Sequence, residues 1–553
     1  MSIFKWGSFA LVCLICFYAF ISKKTSDKAE ALQQFAEKHS MLILAAIMIA
    51  GAAVRFADIT ELPAGLHIDE WAIAYDAWAN MNFGVDRHLK HNPVYLINFG
   101  GGQNVLLFYM IMLSYKLFGG VSVFAIRFPT AVMGVVAIFA IYKIAQLADR
   151  KITGIVAAFF TAVMPVFINM SRFGLESYLL YSMLSLSVML FMLAVNKEET
   201  HLFVLAGISF GLTLYTYAVS YIIIPVFLLI SLGYLFWCRK IRIRQIVFMA
   251  LPLGLLALPL MAMLAVNTFD LPEISTAMFT ITKLPEYRGG EVSLANIKNI
   301  AEAVKTVLIM DWLPYNSDGV FNTMYIATIP LIVLGVFALA KKIVVSVKNK
   351  EYDASVMAFA GVIAAGVALC LISYVNVNKA NGIYPFLVVF AAAATVLIFK
   401  KSYIQFMIVI AIYIANFSLF CCDYFQPVKY DEIKTLFAPG VNEVFEKAED
   451  GMQVYICDLS ALDRSVQYAL AAEISPYEVN KIINGDSSSV FWHNQLPVYR
   501  NENGELEGDF DFKSVYALNR FDLSEQYCFA REELEKLGFE KEKTGFYGLK
   551  FNI

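Results

Sequence analysis

The chain has 553 residues, 59% of them hydrophobic and only 16% charged, with a formal net charge of −3 and a mean hydropathy of +0.62. Soluble domains carry about 25% charged residues, so an ordinary globular protein is excluded, and the slight negative charge argues against a dedicated nucleic-acid binder. What remains is a polytopic membrane protein, whose 29 Tyr and 45 Phe suit lipid-facing surfaces and interfacial belts.

The first apolar run, at 3–22, has the length of a signal peptide. It lacks a small-residue cleavage site and is followed directly by Lys23-Lys24, so it reads as an uncleaved helix. Further runs at 40–57, 122–147, 152–169, 175–195, 202–219, 221–238, 246–265, 322–341, 354–374, 380–399 and 403–420 are near span length. Together they predict about twelve transmembrane helices. The stretch 201–238 holds two helices only if a tight hairpin falls near Tyr217 to Tyr221. The run 104–118 is short and ends at Gly119-Gly120, so it reads as a helix lying at the membrane surface.

Basic residues test this order. Lys23-Lys24-Lys28, Arg150-Lys151, Lys197, Arg239-Lys240-Arg242-Arg244, Lys341-Lys342-Lys348-Lys350 and Lys400-Lys401 all fall on one side, the cytoplasmic one. Two large loops, 58–121 and 266–321, and the tail after Phe420 are then extracytoplasmic. The expected organisation is an extra helix and linker (1–39), a transmembrane unit (40–420) and a soluble tail (421–553). In the tail, Met452–Cys457 and Gly545–Phe551 read as strands, and Asp463–Glu473 and Ser524–Leu537 as helices, which predicts a small α/β domain. Cys457 and Cys528 could pair there, whereas Cys13, Cys16 and Cys370 sit in apolar runs as packing residues. Short loops and the lack of organelle signals point to a bacterial cell membrane.

Chemistry concentrates at one mouth of the bundle. The first loop holds Asp69-Glu70 and three of the six histidines, His67, His88 and His91, beside Asp86, Arg87 and Lys90. A carboxylate at the membrane–water boundary can act as general base toward an acceptor hydroxyl or amine. A sugar donor carried on a lipid phosphate already has its leaving group and needs only cations to hold it. Arg87, His88, Lys90, His91, Arg172, Arg288 and Lys379 are the candidates. Each has a plainer reading. Asp69 could cap a helix, Glu70 could serve its dipole, Arg172 could pair with Glu176 at i+4, and Lys379 could snorkel. His67 and His88, with His91 and either acid, could instead ligate a divalent metal, although no paired ligand spacing is present.

The order Asp69-Glu70, Asn92-Pro93-Val94-Tyr95, Gly119-Gly120 to Arg127-Phe128-Pro129, Ser171-Arg172-Phe173-Gly174-Leu175-Glu176 and Gly382-Ile383-Tyr384-Pro385 resembles the GT-C glycosyltransferases over roughly 40–400. The branch is that of protein mannosyltransferases and lipid A aminoarabinose transferases (families 39 and 83). The resemblance implies inverting transfer from a polyprenyl-phosphate sugar to an extracytoplasmic protein, lipid or envelope glycan. It implies Asp69 as base, Glu70 as the neighbouring acid, and loop cations on the donor phosphate. Relatives often read His-Pro-Pro or Lys-Pro-Pro where this chain has His91-Asn92-Pro93. Two rivals stand beside it: a transporter or flippase of lipid-linked sugars, and a scaffold whose tail binds a partner. The first expects charges at mid-membrane, and the predicted spans are nearly free of them.

Overall fold

The computed structural model describes residues 2–22, 27–99, 101–287, 289–309, 321 and 323–426, with parts of the tail between 454 and 549. It opens with α1 (Ser2–Ile21), an amphipathic α2 (Asp27–Lys38) and α3 (Ser40–Phe56), which meets α2 at a 74° bend. The first loop folds into α4 (Ile68–Phe83), the hairpin β1 (Tyr95–Asn98) and β2 (Gly101–Asn104), and α5 (Leu106–Phe118). At 13 residues α5 is about 20 Å long, short of a bilayer core.

Next come α6 (Val123–Ala148), α7 (Lys151–Val163), α8 (Pro165–Arg172), α9 (Leu179–Lys197) and α10 (Thr200–Leu214). After them run α11 (Ser220–Trp237) and α12 (Ile243–Thr268). The second loop supplies β3 (Ile274–Ser275), β4 (Thr280–Ile281) and α13 (Ile300–Leu308). The bundle closes with α14 (Thr328–Asn349), α15 (Val356–Leu371), a short α16 (Val377–Ala380), α17 (Tyr384–Lys401) and α18 (Tyr403–Tyr424).

A helix stands at each of the twelve predicted runs. Among the described residues, eight are long and apolar enough to cross a membrane alone, or ten if α2–α3 and α7–α8 each count as one span. The α7–α8 break, 57°, falls where Pro165 cannot continue the helix. The remaining two, α10 and α15, are 15 and 16 residues long. The break between α10 and α11 falls at Tyr215–Val219, where two helices in one run required it.

α17 is the axis, with every residue buried except Leu397, Lys400 and Lys401. Its Ala391–Ala394 run admits neighbours closely, and α14 crosses it at Gly335, where a Cβ would collide with the Phe390 carbonyl. In the tail, β5 (Val454–Cys457) pairs in parallel with β6 (Trp492–His493) and with β9 (Val515–Leu518). β10 (Phe539–Lys541) and β11 (Tyr547–Leu549) extend that sheet antiparallel, giving the order β10-β11-β9-β5-β6. A separate hairpin joins β7 (Val498–Arg500) to β8 (Leu506–Gly508), and α19 (Pro476–Ile483) precedes the β6 strand. Both predicted strands are present; the predicted helix 524–537 and Cys528 lie outside the described residues.

Candidate active site

The backbone between α3 and α4 makes few hydrogen bonds of its own, and buried carbonyls demand donors. Arginines supply them. Arg172, fully buried at the end of α8, donates to the carbonyls of Val54 (2.7 Å), Arg55 (3.2 Å) and Leu62 (3.0 Å), and to the Tyr424 hydroxyl (3.2 Å). Arg127, in the second turn of α6, donates to the carbonyls of Ile59, Pro63 and Gly65. Its Nε also meets Glu70 Oε1 at 3.0 Å, with both side chains at 0% exposure.

Glu70 is thus a buried organiser. Besides Arg127 it accepts from Gly174 N (2.6 Å) and from His67 N (2.8 Å), the latter closing a capping box in which His67 Nδ1 takes Asp69 N. The helix cap is therefore His67, while Asp69 sits one position into α4 with its side chain 40% exposed. Both Glu70 oxygens are occupied by donors away from solvent.

Asp69 Oδ1 accepts from Asn98 Nδ2 at 2.8 Å. Asn98 Oδ1 in turn accepts from Arg87 Nη2 at 2.7 Å. A guanidinium only donates, so Arg87 fixes the amide with its NH2 toward Asp69. Arg87 is 2% exposed, lies 3.7 Å from Asp76 and stacks on Phe99, whose φ of 44° turns the β1–β2 hairpin. That places Arg87 behind Asp69, with Asn98 between them.

The turn after α4 is built on Asp86, whose Oδ1 accepts from His88 N (2.9 Å) and Lys90 N (2.8 Å). Burial, and then the neighbouring Asp76, push the Asp86 carboxyl up to about 8. Burial and the adjacent Arg87 and Lys90 push His88 down to about 3, so that ring is neutral. The unfolded Asp86 ionises near about 4, so the unfolded chain releases its proton first and stability falls as pH rises from about 4 to about 8. Asp86→Asn carries no such penalty. Its melting-temperature advantage over wild type is expected to widen between pH 5 and pH 8.5, and a gap independent of pH would refute the assignment.

The other first-loop cations are engaged locally. Lys90 pairs with Glu273 at 2.8 Å. His91 Nδ1 lies 2.7 Å from the Gly84 carbonyl and Nε2 lies 3.0 Å from Asn92 Nδ2, which makes it a turn staple. Among the described residues no three His, Cys, Asp or Glu side chains could hold a metal together, so the alternative in which His67 and His88 ligate a metal finds no assembled ligand set. The second loop seats on the first: Val94 N donates to the Thr280 carbonyl (2.9 Å) and Thr282 Oγ1 to the Tyr95 carbonyl (2.7 Å). The two large loops therefore share one mouth, as the charge pattern predicts. Arg288 lies outside the described residues.

Under that seat is a cavity of about 370 Å³ lined by Tyr95, Glu176, Tyr221, Tyr287, Glu291 and Lys379 among others. Lys379 Nζ lies 3.6 Å from Glu291. Glu176 does not pair with Arg172, because Phe173 is extended (φ −109°, ψ 141°) and breaks the i,i+4 geometry. Instead its carboxylate accepts from the backbone of Asn104 and lies within electrostatic reach of Asp69, and its buried Oε2 has no hydrogen-bond partner. Glu176 and Asn98 are the polar groups that sequence reasoning missed; only the break at Phe173-Gly174 hinted at the first.

Beside the cavity runs an apolar groove of about 530 Å³, lined by Leu294, Ile300, Val304, Val367, Leu371 and Ile383 among others. The two are neighbours along the segment where Ser293 N donates to the Leu371 carbonyl: Ile372 lines the cavity and Leu371 the groove.

Residues 103–266 match the dolichyl-phosphate-mannose-protein mannosyltransferase family. The fold matches ArnT from Cupriavidus metallidurans bound to undecaprenyl phosphate, with a TM-score of 0.55 at 11% identity over 93% of this chain and 98% of that one. The apo state of that protein gives 0.52 over 82% and 89%. The archaeal oligosaccharyltransferase AglB from Archaeoglobus fulgidus gives 0.47 at 14% identity, and the match covers 79% of this chain and 64% of the archaeal chain. No curated protein matches the sequence.

Proposed function

We propose that this multi-pass membrane protein is a glycosyltransferase of the GT-C superfamily, a reading supported by the family match at residues 103–266 and by the shared fold. It moves a sugar from a polyprenyl phosphate to an acceptor at the mouth shared by its two large loops. The observation that carries the reading is that a cavity holding Lys379 and several tyrosines neighbours an apolar groove at that mouth. A donor of this class has those two parts, an isoprenoid chain and a phosphosugar head. The chain would lie in the groove against α13 and α15. The phosphate would meet Lys379 on the cavity wall, whose ion-pair partner Glu291 stands at 3.6 Å rather than in tight contact. The sugar would lie among Tyr95, Tyr221 and Tyr287. A cavity of 370 Å³ is within the range of small-molecule sites, about 300–1,000 Å³.

The chemistry follows from the placement. Asp69 takes the proton of an acceptor hydroxyl or amine as the acceptor atom bonds to the anomeric carbon. The bond from that carbon to the phosphate oxygen breaks, and polyprenyl phosphate leaves with its charge facing Lys379. Attack opposite the leaving group inverts the anomeric centre. Asn98 and Arg87 keep the carboxylate aimed, and Glu70 with Arg127 fixes the helix that carries it. The mouth is extracytoplasmic on the charge pattern of the loops.

The test is sugar release from a panel of radiolabelled polyprenyl-phosphate donors by the purified protein in lipid. No turnover with any donor and acceptor mixture, together with donor movement across liposomes, would favour the flippase reading instead. Lys379→Ala is expected to raise the donor KM about tenfold, the scale of one lost charge-assisted hydrogen bond. An unchanged KM would take Lys379 off the phosphate.

A further inference from the structure

The tail reaches the catalytic helix. Tyr75 Oη, on α4, donates to the Ile474 carbonyl at 2.7 Å. Phe83 and Tyr477 meet edge to face at 6.3 Å, and Val466, Leu470 and Val479 enter the apolar cluster of Trp71 and Trp78. Asn480 Nδ2 donates to the Arg87 carbonyl at 3.2 Å, and its Oδ1 accepts from Asn484 Nδ2 at 2.9 Å, which fixes which end of the amide faces Arg87. A continuous polar connection results: Asn480 to the Arg87 backbone, Arg87 Nη2 to Asn98, Asn98 to Asp69.

We propose that the tail segment around α19 is a positioning clamp for Asp69, so that the soluble domain forms part of the catalytic unit and Asn480 and Tyr477 act through Arg87. This rests on the glycosyltransferase reading above. The turn that carries Arg87 contains two non-glycine residues in the left-handed region, Leu89 (φ 58°) and Asn92 (φ 39°), a conformation that neighbours must hold in place. Asn480 holds that turn at the Arg87 carbonyl, and Tyr477 packs on Phe83 at the end of α4. Without them the turn that carries the Arg87 guanidinium, and through it the Asn98 amide, loses its hold from the tail.

The experiment uses the full-length protein with Asn480→Ala, alone and with Tyr477→Ala, and Tyr477→Phe as the variant that keeps the ring. The double variant is expected to lose about tenfold in kcat with an unchanged donor KM, since small misplacements of a reacting group act on the chemical step; Tyr477→Phe should behave as wild type. Hydrogen–deuterium exchange should rise at 86–98 and stay constant in α6 and α9. A wild-type kcat in the double variant overturns the proposal, as does a KM that rises in step with the loss. If the wild type transfers no sugar at all, the glycosyltransferase reading falls separately, and exchange decides the clamp: unchanged protection at 86–98 overturns it, and local loss there supports it.

Discussion

Asp69→Asn is expected to lower sugar transfer by about 10²–10⁴-fold, the usual contribution of a general base, while leaving membrane abundance and melting temperature near wild type. The two halves of that expectation come from different observations. The catalytic half rests on a carboxylate that is 40% exposed at the loop mouth and aimed by Asn98 through a 2.8 Å hydrogen bond. The structural half rests on what Asp69 does not do: the cap of α4 is His67, and the buried ion pair belongs to Glu70. An amide at 69 still offers an oxygen to Asn98, so little packing is disturbed. Turnover with each donor, measured beside abundance on the same preparations, separates the two. Activity near wild type would remove Asp69 as the base and turn attention to Glu176, a buried carboxylate on the cavity wall.

The bundle was legible because apolar runs near twenty residues have one outcome in lipid, and because lysines and arginines mark one set of loops. The kinks were less so: α2 joins α3 at 74° through His39 with no proline or glycine to announce it. Among the site residues, Lys379 stood out as a lysine against the charge bias, and the structure sets it on the cavity. The arginines misled for a definite reason. A sequence shows a cation but not the carbonyls that converge on it, and Arg172 is consumed by four acceptors drawn from α3, the loop after it and α18. Asn98 was invisible for the complementary reason. Its meaning lies in an amide fixed between Arg87 and Asp69, eleven and twenty-nine residues away.

Glu70→Ala is expected to remove folded protein from the membrane rather than only its turnover. Arg127 would be left fully buried with a charge that no carboxylate balances, and breaking such a pair costs about 3–5 kcal/mol. The same change strands the amides of His67 and Gly174, which now donate to Glu70 at 2.8 and 2.6 Å. Against a total stability of about 5–15 kcal/mol, losses of this size leave little margin. Glu70→Gln keeps an acceptor of the same shape and should fall between the alanine variant and wild type. Abundance and detergent melting of these two, run beside Asp69→Asn, give adjacent carboxylates opposite signatures: lost turnover with intact protein at 69, lost protein at 70. A Glu70→Ala protein that accumulates and melts like wild type yet transfers nothing would reverse the assignment and make Glu70 a reacting group.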